Sequence, residues 1–109
     1  MDSIEKRLET LEYYQTLFIK MLEPEKFPFY HMVMSKGLSK EEIEEIHAIC
    51  HELSANHNEQ KAQGLVIFTD LLTQFAGQLN AKLDLYETIR ALHKQKLYRP
   101  LMDDFLELM

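Results

Sequence analysis

The chain has 109 residues, which suits one domain with one modest hydrophobic core and is too short for two. Its three glycines and three prolines are too few for the many turns of an all-β fold, and its one cysteine excludes an internal disulfide. The net charge of −6 disfavours nucleic acid as a partner, because an acidic protein repels phosphate backbones at long range. We therefore expect one all-α domain over residues 1–109.

Neither a targeting segment nor a membrane span is predicted. Residues 1–7 are mostly charged and lack the apolar run of a signal peptide. The longest run of strictly aliphatic or aromatic residues, at positions 65–68, is far shorter than the ~20 mostly apolar residues of a bilayer span. The sequence predicts a cytoplasmic protein with no membrane partner.

The first predicted helix, over about residues 3–22, has the spacing of a coiled coil. Asp2 and Glu5 suit a capping pair at its start. With Ile4 at heptad position d, Arg7 falls at g and Glu12 at e of the next heptad, where they can pair between parallel chains. The alternative is that the same spacing packs inside one chain. The heptad positions a and d are Ile4, Leu8, Leu11, Gln15, Phe18 and Leu22, with Gln15 as a polar insertion.

The second half of this helix is apolar around nearly its whole circumference, which requires cover on several sides. A chain this short has few other elements to supply that cover, and most soluble oligomers are symmetric homo-oligomers. We therefore expect a helical bundle completed by oligomerisation, as a dimer or trimer of this chain. The residues predicted to carry self-association, called the seam below, are Leu8, Leu11, Gln15, Phe18 and Leu22.

Two short signals define the next helices. Pro28 suits the first turn of a helix that runs to about Lys36 and ends at Gly37. Ser39 and Glu42 form the pattern of a capping box, which begins a third helix. The apolar positions of that helix, predicted to be buried, are Ile43, Ile46, Cys50, Leu53 and His57.

The middle of the chain is less regular. Residues 56–64 are polar and suit a frayed helix, a loop, or both. Residues 65–68 are predicted as the entry to a buried fourth helix, with Thr69 or Asp70 near its N-cap. Gly77 in that helix is expected to let another backbone approach. Asp84 with Glu87 begins a fifth helix, and Pro100 a sixth. The apolar positions of the fourth and sixth helices are Phe68, Leu71, Leu72, Phe75, Leu79, Leu101, Met102, Phe105, Leu106 and Met109.

One cluster has residue types that bind metals. His47 and His51 share a helix face, with Cys50 beside them. Zinc needs four ligands, or three and a water, and Ala55 breaks the HExxH pattern that begins at His51. We predict edge histidines beside a buried, inert thiol, with no metal, cofactor or catalytic residue. A metal site completed by His31, His93 or another chain is the alternative.

Residues 90–99 form the one basic stretch, which contains no acidic residue. Its cations suit an anion or phosphate, or the negative end of a helix dipole. The fourth and fifth helices also suggest a helix-turn-helix DNA-binding unit, but the second of them begins with acidic residues. The members of this stretch are Arg90, Lys94, Lys96 and Arg99, with Tyr98.

Seven segments carry a family resemblance: Leu11-Glu12-Tyr13-Tyr14, Pro28-Phe29-Tyr30, Gly37-Leu38-Ser39-Lys40-Glu41-Glu42, Gln60-Lys61-Ala62-Gln63-Gly64, Phe75-Ala76-Gly77-Gln78-Leu79-Asn80, Lys82-Leu83-Asp84 and Leu97-Tyr98. Taken together, they make the chain resemble the YhaI-like family of small uncharacterised bacterial proteins. This resemblance implies an all-helical fold and assembly of identical chains, and it carries over no catalytic residue. Lys96 departs from it, because the family pattern has glycine there.

The sequence as a whole predicts an all-α fold of five or six helices with a long first helix. Its most favoured function is a non-enzymatic, homo-oligomeric interaction or regulatory module, with itself and then another protein as expected partners. A small DNA-binding regulator that uses residues 90–99 is the alternative.

Overall fold

The computed structural model describes residues 3–109 and contains six α-helices and no strand in that range. The predicted all-α class is therefore confirmed. The predicted capping residue Asp2 lies outside the described residues, and Ser3 caps the first helix by accepting a hydrogen bond from the Lys6 N–H. The helices are α1 (Ile4–Met21), α2 (Pro28–Ser35), α3 (Lys40–Ala62), α4 (Thr69–Gln78), α5 (Leu85–Lys94) and α6 (Arg99–Glu107).

The local start signals in the sequence are confirmed. Ser39 and Glu42 form both hydrogen bonds of a capping box at the start of α3. Glu42 also accepts hydrogen bonds from Asn80 and Lys82, which join this helix end to the turn before α5. These contacts, with the Ser39 backbone N–H first, lower the pKa of Glu42 to about 2. Asp84 caps α5 by accepting from the Glu87 N–H.

The hydrophobic core lies in α2–α6 and in two residues of the turns between them. No described side chain of α1 is buried. The radius of gyration is 16.8 Å, against about 13 Å for a compact domain of this length, so the shape is elongated. α3 runs without a break through Ala62, and Ile49, not predicted as core, is buried on it whereas Ile43 is half-buried. The buried apolar residues are Phe29, Val33, Ile46, Ile49, Cys50, Leu53, Phe68, Leu71, Phe75, Leu83, Ile89, Ala91, Leu92, Leu101, Met102 and Phe105.

Two predictions about packing are wrong. Residues 65–67 form an exposed loop, in which Val66 is 83% and Ile67 73% exposed, and only Phe68 turns into the core as the N-cap of α4. Gly77 is exposed and has no neighbouring atom within 4 Å of an added Cβ, so no other backbone of the described chain packs against it. Met109 is also exposed, because α6 ends at Glu107.

Gln95 joins the end of α5 to the start of α2. Its side-chain Oε1 accepts hydrogen bonds from the Phe29 N–H at 2.8 Å and the Tyr30 N–H at 3.1 Å. The N-cap residue of α2, Phe27, has no side chain that can accept these bonds. A residue 66 positions away from Phe29 therefore caps this helix.

The turn between α5 and α6 gives Lys96 a backbone conformation that favours glycine. The Lys96 N–H bonds to the His93 carbonyl and the Leu97 N–H to the Leu92 carbonyl, which is the Schellman pattern of a helix end. Gly37 and Gly64 occupy the equivalent position after α2 and α3, with φ of 69° and 87°. Lys96 has φ 64°, in the left-handed region that favours glycine. The backbone at residue 96 therefore suits the glycine that the resemblance implies, although a lysine fills the position.

Replacing Lys96 by glycine is expected to stabilise the protein. A left-handed conformation costs a residue with a Cβ roughly 1–2 kcal/mol, so we expect Lys96→Gly to raise the free energy of unfolding by about 1 kcal/mol and Tm by about 4–8 °C. Lys96→Ala is the matched control, because it removes the same charge and keeps the Cβ. Equal Tm values for the two variants in thermal denaturation would contradict this explanation.

Candidate functional site

The predicted seam lies on the surface of this chain. Ser3 caps the start of α1, and the helix ends where the Leu22 N–H bonds to the Phe18 carbonyl, just before Pro24. Leu8 is 53% exposed, Leu11 61% and Phe18 63%, although each has the side chain of a core residue. The two other seam residues differ, since Gln15 is exposed and Leu22 is half-buried.

The apolar surface of α1 extends beyond the seam. Tyr13, Tyr14 and Met21 are at least half exposed as well, so the second half of the helix offers apolar groups on several sides. The main contact of α1 within the chain is with α2. A contiguous apolar surface of this kind is typical of a protein interaction site.

The charged residues beside the seam are unpaired within the described part of the chain. Neither Arg7 nor Glu12 forms an ion pair with any charged group of residues 3–109. In a parallel coiled coil these two heptad positions, g and the following e, meet across the interface. The seam therefore has apolar a and d positions, one polar a position at Gln15, and a complementary pair of flanking charges.

The histidines near Cys50 pack around a tyrosine. His47 Nδ1 and the Tyr98 hydroxyl form a hydrogen bond of 2.7 Å, and the His51 ring lies edge-on to the Tyr98 ring. Burial and the neighbouring His51 lower the pKa of His47, and burial and Cys50 raise the pKa of Tyr98. Within the described residues no group of three or more potential ligands is placed to hold a metal ion. Neither His31 nor His93 therefore completes a site there.

Cys50 is a buried thiol. Its side chain has no exposed surface, and burial raises its pKa to about 12. At neutral pH the sulfur is therefore protonated, whereas a nucleophilic cysteine reacts as the thiolate. The prediction of an inert thiol is consistent with this environment.

A buried polar contact was missed in the sequence. His57 is 1% exposed, as predicted for this α3 position, and its Nε2 lies 2.5 Å from Oδ2 of Asp104 on α6. The Lys61 ammonium lies 3.4 Å from the same carboxylate oxygen. Asp104 follows Asp103 in a run that looks like solvent-exposed surface, and only the packing of α6 on α3 distinguishes the two.

The four cations of residues 90–99 gather at one concave surface, called the basic pocket below. It has a volume of about 500 Å³ and lies between α5, α6 and the start of α2. Tyr98 is not part of it, because its ring packs against His47 and His51. The lining residues are Pro28, Glu87, Arg90, Ala91, His93, Lys94, Lys96, Arg99 and Leu106.

These features define a small all-helical protein with a folded body, an apolar first helix on its surface and one basic pocket. No described helix is long and apolar enough to cross a membrane. The chain belongs to the family described as "Protein of unknown function (DUF1878)", whose family model matches residues 1–109.

Proposed function

We propose that the protein is a non-enzymatic interaction or regulatory module that works as a homo-oligomer assembled through α1. The observation that supports this proposal best is that no described residue of α1 is buried, although its heptad positions are apolar. Burying one Leu or Phe side chain contributes about 1.5–3 kcal/mol, so the uncovered seam is a large source of association energy.

A second copy of the same chain, parallel to the first, is the occupant we propose for the seam. In that arrangement each seam residue faces its own counterpart, and Gln15 faces Gln15, a polar pair of the kind that fixes register and chain number. Arg7 of each chain then meets Glu12 of the other. A parallel dimer is the smallest assembly that satisfies the apolar and the charged positions together.

Sedimentation equilibrium tests the assembly, and cysteine cross-linking tests its direction. A parallel dimer has twice the chain mass of 12.9 kDa. A Leu11→Cys variant is expected to form an interchain disulfide under mild oxidation, because a d position faces its own counterpart. Glu9→Cys, on the opposite side of the same helix, is the matched control and is expected to remain uncrosslinked. Cys50 does not interfere, since it is buried.

These two experiments test the assembly, its direction and its number of chains separately. A protein that stays at the mass of one chain at high concentration would disprove the proposal. An oligomer in which Leu11→Cys fails to cross-link would disprove the parallel arrangement, and a mass of three chains would replace the dimer by a trimer.

A small DNA-binding regulator that uses residues 90–99 is the alternative function. The gathering of four cations favours an anionic ligand. Asp84 and Glu87, however, stand at the start of α5, where a recognition helix presents its first residues to the bases. We also propose that the chain is one of the YhaI-like bacterial proteins, because it shares the segments that mark that resemblance. We place it in the cytoplasm, because a secreted chain of this size usually carries several cysteines and this chain has one.

A further inference from the structure

We propose that the basic pocket binds a small molecule that carries a phosphate group on an apolar or aromatic body. Arg90, Lys94, Lys96 and Arg99 line the pocket together, in a protein whose net charge is −6. Glu87 is the one carboxylate among the lining residues, so the pocket carries a clear excess of positive charge. This site is separate from α1 and does not depend on the proposed assembly.

The cations of the pocket are not neutralised by any carboxylate of residues 3–109, since none of the four forms an ion pair with one. A further carboxylate nearby in sequence, on Asp103, contacts Nε2 of His93 at 2.5 Å. Unpaired like charges held close together repel one another, and a bound anion removes that repulsion.

The helix dipoles do not explain this clustering. Cations are favoured in the last turn of a helix, and of these residues Lys94 lies there in α5. Arg90 lies in the middle of α5, and Arg99 is the first residue of α6, where the dipole disfavours a cation. Lys96 has a left-handed backbone conformation, which favours glycine over lysine. Arg90 and Arg99 therefore lie where helix electrostatics gives a cation no advantage.

The chemistry of the pocket favours a phosphate over a carboxylate. One arginine fork satisfies a carboxylate, whereas a phosphate monoester has about two negative charges and three terminal oxygens for several donors. Arg90 and Arg99 each supply such a fork, and Lys94 and Lys96 add two point charges. Arg90 also lies 5.6 Å from the centre of the Tyr86 ring, which supports its planar group.

The size and the apolar lining point to the rest of the ligand. A volume of about 500 Å³ is within the range of small-molecule sites. Pro28, Ala91 and Leu106 provide apolar surface beside the cations. A ligand with an apolar or aromatic body beside its phosphate therefore fits the pocket better than inorganic phosphate does.

Isothermal titration calorimetry with phenyl phosphate tests this proposal. We expect one site per chain, tighter binding of phenyl phosphate than of inorganic phosphate, and no binding of phenol. Arg90→Gln and Arg99→Gln are each expected to weaken binding about tenfold or more, because a fork to the phosphate is lost. Lys36→Gln removes one exposed cation outside the pocket and is expected to leave the affinity unchanged.

Three results would overturn the proposal. The first is that no phosphate compound binds at low salt. The second is that Arg90→Gln and Arg99→Gln bind as the wild type does while their thermal unfolding is unchanged, which would place the binding elsewhere. The third is salt-sensitive binding of duplex DNA without binding of phenyl phosphate, which would favour the DNA-binding alternative instead.

Discussion

The double variant Leu11→Asp with Phe18→Asp is expected to be a monomer of about 12.9 kDa with a folded body of α2–α6. Each of the two apolar side chains contributes about 1.5–3 kcal/mol when buried, and a symmetric dimer loses each contribution twice. The loss of at least about 6 kcal/mol weakens dimerisation more than about 10⁴-fold. The core stays intact because none of its side chains comes from α1.

In this variant α1 is expected to lose helical structure when the dimer dissociates. An isolated helix of 18 residues is marginal in water, because most helix stability in proteins comes from packing. We therefore expect the variant to lose part of its far-UV circular dichroism while the near-UV signal of the body is kept. Sedimentation equilibrium gives the mass in the same buffer.

A control with the same added charge separates the seam from the rest of the helix. Thr10→Asp with Thr16→Asp places two aspartates on the face of α1 away from the seam, and both threonines are exposed. This control is expected to keep the mass of the wild type. If the two double variants have the same mass, the assignment of the seam is wrong.

The elements that could be predicted from the sequence are those determined by residues within one helical turn. The Ser39 and Glu42 capping box, Pro28 at the start of α2 and Gly37 at its end depend on neighbours three or four positions away, and all three are confirmed. The left-handed conformation at residue 96 is also local, because it belongs to the Schellman ending of α5.

The predictions that failed concern which other elements of the chain pack against a given helix or loop. Residues 65–67 are as apolar as a core strand, yet no element of the described chain covers them. A glycine at position 77 suggests that another backbone packs closely against α4, but such a contact depends on where the whole helix lies in the fold. The residue types of a segment set its structural propensity, whereas its solvent exposure depends on the elements that pack against it.

The candidate sites also combine features that are local in sequence with features that join distant residues. The helix that carries the seam could be predicted because a heptad pattern lies within one helix, and the basic stretch could be predicted because its residues are close in sequence. Self-association through the seam stays a prediction. The pocket that the basic residues form also needs Pro28 at the start of α2 and Leu106 further along α6, which residues 90–99 do not indicate. The cap from Gln95 to α2 and the pair of His57 with Asp104 join residues that are 66 and 47 positions apart.

Asp104→Ala is expected to destabilise the protein far more than Asp103→Ala. Both substitutions remove an aspartate of α6 whose carboxylate lies 2.5 Å from a histidine Nε2. His57 is 1% exposed, whereas the His93 side chain is 29% exposed. Water replaces the lost carboxylate at His93, but a buried polar group left without a partner costs about 1–3 kcal/mol.

The expected loss for Asp104→Ala is about 2–3 kcal/mol, or a fall in Tm of roughly 10–20 °C. For Asp103→Ala we expect less than about 1 kcal/mol, as for an exposed ion pair. Asp104→Asn keeps an acceptor for His57 and is expected to lie between the two. Thermal and urea denaturation measure all three. The buried pair would lose its assigned role if Asp104→Ala were no less stable than Asp103→Ala, because burial of the histidine is the main difference between the two contacts.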